Sequence, residues 1–283
     1  MEYDLTCVLG PTACGKTRYA VALAKETGAE ILSADSRQVY RGMDIGTGKD
    51  LEDYDGVPYH LIDIVPAGEK YDIYRYQRDF HKAYRDIIAR GKLAILCGGS
   101  GLYIEAATRG YHLPDVPQNP ELRASLEKES DEVLIARLAS LKTLHNSTDY
   151  DTRKRLIRAL EIAIYEQEHP VDRTAFPPIR TRYIGLDVSR EVRNARIDAR
   201  LDARLASGMV EEVQRLLDSG IAPEDLIYYG LEYKFVTLYL TGQLSYDEMH
   251  DKLSTAIHQF AKRQMTWFRG MERRGIEIEW VKV

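Results

Sequence analysis

The stretch Gly10-Pro11-Thr12-Ala13-Cys14-Gly15-Lys16-Thr17 decides how the chain folds. It matches the pattern G-x-x-x-x-G-K-[ST] at every required position. The apolar run 5–9 before it is typical of a buried parallel strand, and the pattern after it predicts a helix from Lys16 to about Lys25. Between a strand and a helix, successive backbone N–H groups bind a chain of phosphates. Lys16 adds a positive charge and Thr17 can hold Mg²⁺, so the sequence predicts a phosphate-binding loop.

Strand and helix patterns alternate through the first hundred residues. A second short strand is predicted over 31–34, an amphipathic helix over 72–90 and another buried strand over 93–97. This βαβ alternation predicts an α/β fold, a P-loop NTPase-like parallel sheet flanked by helices. Later in the chain, the patterns predict a core strand over 183–188 and helices over 189–206, 209–218 and 245–268.

Proline-rich segments divide the chain into two domains. Three prolines fall within residues 113–120, a second punctuated stretch covers 169–178, and only helical patterns lie between them. We therefore predict a core domain of residues 1–114 and 181–283, with a small all-helical insertion domain over residues 115–180.

Composition excludes several classes of protein. The 283 residues are 44% hydrophobic and 29% charged with a net charge of −5, which excludes a disordered chain or a disulfide-stapled miniprotein. Any contact with nucleic acid must come from local basic patches, because the bulk charge is negative. The start has no signal-peptide pattern, and no stretch approaches the roughly 18 apolar residues of a membrane span. Three cysteines without C-x-x-C spacing fit a reducing compartment, so we expect a cytoplasmic globular protein without membrane contact.

Asp35 follows the second predicted strand directly, within Ser33-Ala34-Asp35-Ser36-Arg37-Gln38-Val39-Tyr40. Residues at the C-terminal end of a parallel strand face the ligand crevice beside the phosphate loop. Asp35 is therefore placed to accept a proton or to bind Mg²⁺. An Asp that caps a helix or forms a turn fits the same position equally well.

The expected second acid of a nucleotide-hydrolysing P-loop protein is missing. Such proteins hold Mg²⁺ with an Asp at the end of another apolar strand. The 93–97 strand ends instead in Gly98-Gly99-Ser100, and Leu61-Ile62-Asp63 is a short apolar run. This difference favours a reaction other than nucleotide hydrolysis and leaves ATP binding open.

Further blocks extend a recognisable pattern across nearly the whole chain. After the phosphate loop and the Asp35 segment come Gly42-Met43-Asp44-Ile45-Gly46-Thr47, Gly98-Gly99-Ser100-Gly101-Leu102-Tyr103, Arg158-Ala159-Leu160-Glu161 and Ala261-Lys262-Arg263-Gln264-Met265-Thr266-Trp267-Phe268-Arg269. The set resembles the bacterial tRNA dimethylallyltransferases. The resemblance implies transfer of a dimethylallyl group from dimethylallyl diphosphate to the exocyclic N6 amine of the adenosine 3′ of the anticodon. The implied substrates are tRNAs that read codons starting with U, and diphosphate is released.

The resemblance also implies roles for individual residues. Asp35 is the general base, and the phosphate loop 10–17 holds the leaving diphosphate instead of ATP. Lys16, Thr17, Ser100 and Arg200 complete the catalytic diphosphate clamp. Mg²⁺ is the implied cofactor, bound by Thr17 alone or with Asp35. Positions that fall where the family touches the tRNA anticodon stem-loop are Asp35, Ser36, Arg37, Gln38, Ser100, Arg123, Lys154, Arg155, Leu156, Ile157 and Arg158.

Three basic clusters could meet a polyanion. Arg193, Arg196, Arg200 and Arg204 share one face of a predicted helix. They could line a diphosphate or RNA channel, although for three of them we expect a solvated face neutralised by Asp198 and Asp202. Arg153-Lys154-Arg155 with Arg158 is predicted to contact the RNA backbone, because four charges on adjacent turns seldom serve packing. In the third cluster, around Lys262-Arg263, Arg269 and Arg273-Arg274, we expect Trp267 to pack in the core.

Some positions depart from the family pattern, and other functions remain open. Ser100 replaces the usual Thr, Asp151 a common Asn, and 229–234 is a loose version of a Gly-Tyr-Lys/Arg segment. The alternatives are an adenylate isopentenyltransferase acting on free nucleotide, a P-loop kinase of a small metabolite, and an RNA-binding module without catalysis. A basic helical insertion favours tRNA, because a mononucleotide needs no such arm. We expect a monomer.

Overall fold

The structure, a computed structural model, describes residues 3–143, 152–169 and 176–283. Within these ranges the main sheet has six parallel strands in the order β4-β2-β6-β1-β7-β8, and β3 pairs with β5 separately. The strands are β1 (Leu5–Leu9), β2 (Glu30–Ser33), β3 (Tyr40–Arg41), β4 (Tyr59–His60), β5 (Val65–Pro66), β6 (Ala94–Gly98), β7 (Thr181–Asp187) and β8 (Ile278–Lys282). The predicted α/β fold is confirmed.

Helices account for most of the remaining described chain. A 3₁₀ turn covers Leu51–Tyr54. The α-helices are α1 (Lys16–Thr27), α2 (Ile73–Ala89), α3 (Gly101–Thr108), α4 (Pro120–Leu126), α5 (Asp131–Leu141), α6 (Arg153–Glu168), α7 (Arg190–Ala206), α8 (Met209–Asp218), α9 (Pro223–Tyr228), α10 (Leu231–Leu240) and α11 (Tyr246–Arg273).

The central strands are buried, which explains their apolar sequences. Strand β1 lies between β6 and β7, with Val8 opposite Cys97 on one side and Ile184 on the other. Parallel strands covered on both faces read as continuous apolar runs, and that pattern predicted β1, β2, β6 and β7. Strand β8 was not predicted, because its alternating residues Ile278–Lys282 lie at the sheet edge and are only partly buried.

Two compact units make up the chain: residues 1–111 with 177–283, and residues 112–176. These divisions fall within four residues of the predicted boundaries. The second unit contains α4, α5 and α6. Its apolar core includes Leu126, Leu134, Leu138, Leu156 and Leu160.

The candidate acid Asp63 has a structural partner. It lies beyond β4 and outside the strand, and its carboxylate pairs with Lys49, whose side chain is fully buried. The Lys49 ammonium also donates to the Tyr40 carbonyl at 2.6 Å and lies 2.7 Å from Asp44 Oδ1. Asp63 therefore neutralises a buried lysine and does not end an apolar strand beside the phosphate loop.

An ion pair between Glu30 and Arg90 connects β2 to the end of α2. The Glu30 carboxylate is buried and accepts hydrogen bonds from Arg90, at the end of α2, and lies 2.7 Å from His60 Nε2. The Arg90 hydrogen bond, opposed by burial, lowers the pKa of Glu30 from 4.5 to about 2. The pair therefore contributes stability above pH 4.5 that is lost as the pH falls towards 2.

We expect Glu30→Gln to lower the free energy of unfolding by roughly 1–3 kcal/mol near neutral pH, because charge-assisted hydrogen bonds are lost. Urea unfolding at about pH 7 and about pH 3 measures this, and the difference from wild type should shrink at the lower pH. Glu26→Gln, on exposed α1 surface, is the matched control. A difference that does not depend on pH would contradict the assignment.

No helix in the described part of the chain is both long enough and apolar enough to cross a bilayer.

Candidate active site

The phosphate loop has the backbone geometry that its sequence predicts. Gly15 precedes α1 with φ +87°, and Ala13 also has a positive φ of +62°. These left-handed conformations turn the backbone so that the first N–H groups of α1 face the loop. The Lys16 ammonium donates to the Pro11 carbonyl at 2.7 Å, which holds the charge over the loop. The loop therefore offers N–H donors, a helix N-terminus and a cation to an anion.

Asp35 forms a turn and keeps one oxygen for other chemistry. Its Oδ1 accepts the N–H groups of Arg37 at 2.8 Å and Gln38 at 3.4 Å. The expectation that Asp35 forms a turn is therefore correct for its Oδ1 atom. Within the described residues, no hydrogen bond to Oδ2 occurs, and the side chain is half-buried at the end of β2. The same carboxylate can therefore hold the loop and accept a proton.

Ser100 lies beside the Asp35 loop. Its N–H donates to the Ala34 carbonyl at 3.3 Å, and its hydroxyl accepts the Ser36 N–H at 3.3 Å. Strand β6, which Ser100 follows, lies between β1 and β2 in the sheet. The ends of these three strands thus bring the phosphate loop, Ser100 and Asp35 to one edge of the sheet.

Arg200 connects α7 to the phosphate loop. Its guanidinium donates to the hydroxyl of Thr12. Burial, together with the neighbouring Arg204, lowers the pKa of Arg200 to about 10, so the side chain is still a cation at neutral pH. Arg200 is thus the arginine of α7 that contacts the phosphate loop, the residue to which the resemblance assigns a place in the diphosphate clamp.

The expected neutralisation of the other arginines by Asp198 and Asp202 is wrong. Asp198 accepts from Ser254 and lies 2.7 Å from His258 Nε2, and Asp202 lies 2.9 Å from His250 Nε2. Both acids therefore face α11. The aspartates lie on a different face of α7 from the arginines, which the charge balance of the sequence could not show.

Glu212 fixes the Gly42–Thr47 motif through a contact that the sequence did not predict. Its buried carboxylate accepts the N–H groups of Asp44, Ile45 and Gly46 at 2.8–3.0 Å, and the Tyr233 hydroxyl donates to it at 2.7 Å. Burial and this acidic partner raise the pKa of Tyr233. A Glu at the fourth position of a predicted helix gives no signal of such a contact, because the loop that it binds is more than 160 residues away.

Gln38, a predicted tRNA contact, is held by the same loop. The side-chain amide of Gln38 donates to the Gly48 carbonyl at 3.0 Å, and the backbone carbonyl of Gln38 accepts the Asp63 N–H at 3.0 Å. Next to it, the Arg37 guanidinium lies 5.5 Å from the centre of the Tyr228 ring. The segment 35–38 is therefore ordered and half-buried.

Oxygen donors at the site fit a magnesium ion bound through phosphate. Mg²⁺ prefers oxygen ligands, keeps several waters and is usually held by one or two protein groups plus substrate phosphates. The Thr17 hydroxyl, at the start of α1, and Oδ2 of Asp35 are such groups. Within the described residues, no cluster of three or more His, Cys, Asp or Glu could hold a metal without phosphate.

Two of the four basic residues in the first turns of α6 make ion pairs within the helical unit. Arg153 pairs with Asp131 and donates to the carbonyls of Glu127 and Glu129. Arg158 pairs with the buried Glu161. The expectation that these four charges do not serve packing is therefore wrong for two of them.

Several predicted tRNA contacts lie inside the helical unit. Arg123 makes a bidentate pair with Glu161, at 2.9 and 2.7 Å. Burial raises the pKa of Glu161, but the hydrogen bonds from Arg123, the Asn119 N–H and Arg158 outweigh it and lower the pKa. The side chains of Leu156 and Ile157 pack in the apolar core and are not available to RNA. Lys154 and Arg155 remain exposed at the start of α6. Asp151, where Asn is common in the family, lies outside the described residues.

Trp267 packs as expected, against the core. Its indole N–H donates to Glu105 at 2.8 Å, and the Arg274 guanidinium donates to the same oxygen at 2.7 Å. Glu105 is buried, and its charge is neutralised by Arg274, while the indole N–H satisfies a further hydrogen bond.

A parallel sheet, a phosphate loop after its first strand and an acid after β2, two strands away at the same edge, define a P-loop-like α/β protein with a group-transfer site. Two models of known protein families match this chain. The IPP transferase model matches residues 38–271, and the Isopentenyl transferase model matches residues 3–54. The chain belongs to the IPP transferase family, which confirms the resemblance in the sequence.

Named relatives agree with this family. The chain is 63% identical over 278 residues to "tRNA dimethylallyltransferase 1" of Porphyromonas gingivalis, covering 97% of this chain and 92% of the relative. It is 60% identical to "tRNA dimethylallyltransferase 2" of Bacteroides fragilis, covering 99% and 93%. The solved tRNA isopentenylpyrophosphate transferase of Bacillus halodurans superposes with a TM-score of 0.73 at 34% identity, covering 99% of this chain and 90% of that one. A eukaryotic dimethylallyltransferase acting on tRNA, at 23% identity and TM-score 0.77, has the same fold and covers 98% and 73%.

Proposed function

We propose that this chain transfers a dimethylallyl group from dimethylallyl diphosphate to N6 of the adenosine 3′ of the anticodon, in tRNAs that read codons starting with U. A carbon–nitrogen bond forms at the primary allylic carbon and the carbon–oxygen bond to diphosphate breaks. The diphosphate leaves with the electron pair, and N6 gives up a proton. The observation that carries this proposal is the meeting of Asp35 and the phosphate loop at one edge of the sheet.

Asp35 is the proton acceptor in this proposal. An adenine exocyclic amine is a poor nucleophile because its lone pair is delocalised into the ring, and its nitrogen becomes acidic as the new bond forms. Oδ2 of Asp35 is available for that proton while Oδ1 keeps the turn in place. A positioned carboxylate is therefore a general base with a fixed orientation.

The phosphate loop and Arg200 stabilise the leaving group. Negative charge grows on the diphosphate as the carbon–oxygen bond breaks, so donors and cations aimed at it lower the barrier more than they strengthen substrate binding. Lys16 lies over the loop, and Arg200 is bound to Thr12 within it. Mg²⁺, held by Thr17 and phosphate oxygens, would supply further positive charge.

Segment 35–38 is proposed to meet the RNA. A base in an anticodon loop is stacked, so it must be splayed out to reach a carboxylate in a crevice. Ser36, Arg37 and Gln38 adjoin the base Asp35 in the same half-buried turn. They therefore lie where the nucleotide must enter. We expect the protein to act as a monomer in the cytoplasm, where this tRNA substrate is found.

Transfer of label tests the proposal. The protein is incubated with Mg²⁺, dimethylallyl diphosphate labelled in the allyl group, and unmodified tRNA, and the RNA is digested to nucleosides. We expect the label on the adenosine 3′ of the anticodon. Label on free adenylate and not on tRNA would support adenylate isopentenyltransferase instead, and no transfer to either acceptor would refute the proposal.

ATP turnover separates prenyl transfer from ATP hydrolysis at the phosphate loop. We expect no phosphate release from ATP, with or without tRNA, because the apolar strand β6 ends in glycine and Asp63 is paired with Lys49. A malachite-green assay measures it. Release at about 1 s⁻¹ or faster would contradict the prediction.

Lys154 and Arg155 are proposed to contact the RNA backbone. Replacing both with Ala should weaken tRNA binding and reduce the slope of log K against log salt by about 0.7–0.9 per charge, because fewer counterions are released. Turnover at saturating tRNA should change much less. Filter binding at several salt concentrations measures the slope, with Lys128→Ala, an exposed lysine of the same unit, as the control. An unchanged slope would remove these residues from the RNA interface.

A further inference from the structure

One buried side chain joins the phosphate loop to the neighbouring strand end. Gln264 lies on α11 and is only 8% exposed. Its Oε1 accepts the Thr12 N–H at 2.8 Å, and its Nε2 donates to the Gly99 carbonyl at 2.9 Å. A single amide thus bonds to the loop after β1 and to the loop after β6 at once.

The local packing leaves this amide one orientation. Its oxygen faces an N–H and its nitrogen faces a carbonyl, so a flipped amide would lose both hydrogen bonds. A Cβ on residue 99 would collide with Nε2, so only glycine admits the contact. The fit between Gly99 and Gln264 is therefore specific on both sides.

The two loops that Gln264 joins carry different parts of the reaction. Thr12 is held on its N–H by Gln264 and on its hydroxyl by Arg200. Gly99 precedes Ser100, whose N–H and hydroxyl bond to Ala34 and to Ser36, on either side of Asp35. Hydrogen bonds through Gln264 and Ser100, with the Gly99–Ser100 peptide bond between them, therefore connect the diphosphate loop to the turn that carries the proposed base.

We propose that Gln264 is a positioning residue, which holds the diphosphate loop and the Asp35 turn at the separation that the transfer needs. The proposal rests on the proposed function. It gives the third residue of the Lys-Arg-Gln block a role that is separate from RNA contact and from packing. Misplacement of reacting groups by about 1 Å can cost about 100-fold in rate, so a bridge of this kind affects turnover without touching substrate.

Gln264→Met tests it, because Met keeps the length of the side chain and removes both hydrogen bonds. We expect the Kd of inorganic diphosphate with Mg²⁺, measured by calorimetry, and the KM for dimethylallyl diphosphate to rise about tenfold, since Thr12 loses a buried partner. The turnover number should fall by at least about tenfold, and the KM for tRNA should stay within about twofold. Gln259→Met makes the same change at an exposed position of α11 and should leave every value unchanged.

A second variant tests whether a weaker affinity for diphosphate comes from the lost hydrogen bonds or from a folding defect of Gln264→Met. Gln264→Glu keeps an oxygen for the Thr12 N–H but turns a carboxylate towards the Gly99 carbonyl, so it should bind diphosphate at least as weakly as Gln264→Met. An unchanged Kd for diphosphate, or equal increases in the KM values for both substrates, would overturn the proposal. The diphosphate titration needs neither tRNA nor turnover. Failure of wild type to label tRNA would therefore refute the proposed function and leave the result on Gln264 standing.

Discussion

Asp35→Asn should lower the turnover of prenyl transfer by about 10²–10⁴-fold, because it removes the proposed acceptor of the N6 proton. The structure indicates that this substitution leaves the local backbone unchanged. The Asn side-chain oxygen can still accept the N–H groups of Arg37 and Gln38, so the turn at the end of β2 is kept. Single-turnover measurement at saturating tRNA and dimethylallyl diphosphate separates this chemical effect from binding.

Affinity for inorganic diphosphate distinguishes the base from a metal ligand. If Asp35 is a base, its replacement by Asn should change diphosphate binding little, since Lys16, Thr17 and Arg200 are the groups proposed to hold the diphosphate. As a Mg²⁺ ligand, its loss would weaken diphosphate binding along with the rate, and extra Mg²⁺ would partly restore both. Near-full turnover in the variant would mean that Asp35 only forms the turn and that the base lies elsewhere.

Arg200→Ala should lower turnover by about 10²–10³-fold and weaken diphosphate binding, because the proposed leaving-group site loses a partly buried cation. Arg200 remains charged at neutral pH, since burial and Arg204 lower its pKa only to about 10. Thr12 also loses the donor to its hydroxyl. Turnover and calorimetric titration of diphosphate measure the two effects, and Arg200→Lys should lie between wild type and Ala because it keeps charge but not the guanidinium geometry.

The matched control lies one turn earlier on the same helix. Arg196 is exposed, and Arg196→Ala removes an equal charge from α7. We expect turnover within about threefold of wild type there, because a solvated charge is screened. An equal loss in both variants would point to the charge of the helix as a whole and would contradict a specific role for Arg200.

Local patterns predicted the elements that make up the candidate active site. The phosphate loop requires a glycine of positive φ before α1, and Gly15 provides it with φ +87°. The buried strands β1, β2 and β6 read as apolar runs, so the positions of Asp35 and Ser100 at strand ends followed from the sequence. The N-cap Asp72, whose side chain accepts the Arg75 N–H, marks the start of α2 where the pattern predicted it.

Charge partners could not be predicted in the same way. Spacing on a helix shows that residues share a face, but which opposite charge meets that face depends on how helices pack. Arg123 and Arg158 were predicted to bind RNA, and both pair with Glu161 because α4 and α6 pack together in the helical unit. Asp198 and Asp202 were assigned to the arginines of α7 and instead face the histidines of α11.

The sequence by itself determined the parallel sheet, the phosphate loop and the acid beside it, because each depends on a run of neighbouring residues. Only the tertiary structure decided what holds these parts in register. Gln264 meets Thr12 across 252 residues of chain, and Glu212 meets Asp44 across 168. The physical reason is that a buried hydrogen bond is set by which two groups the fold desolvates together, and no local pattern carries that information.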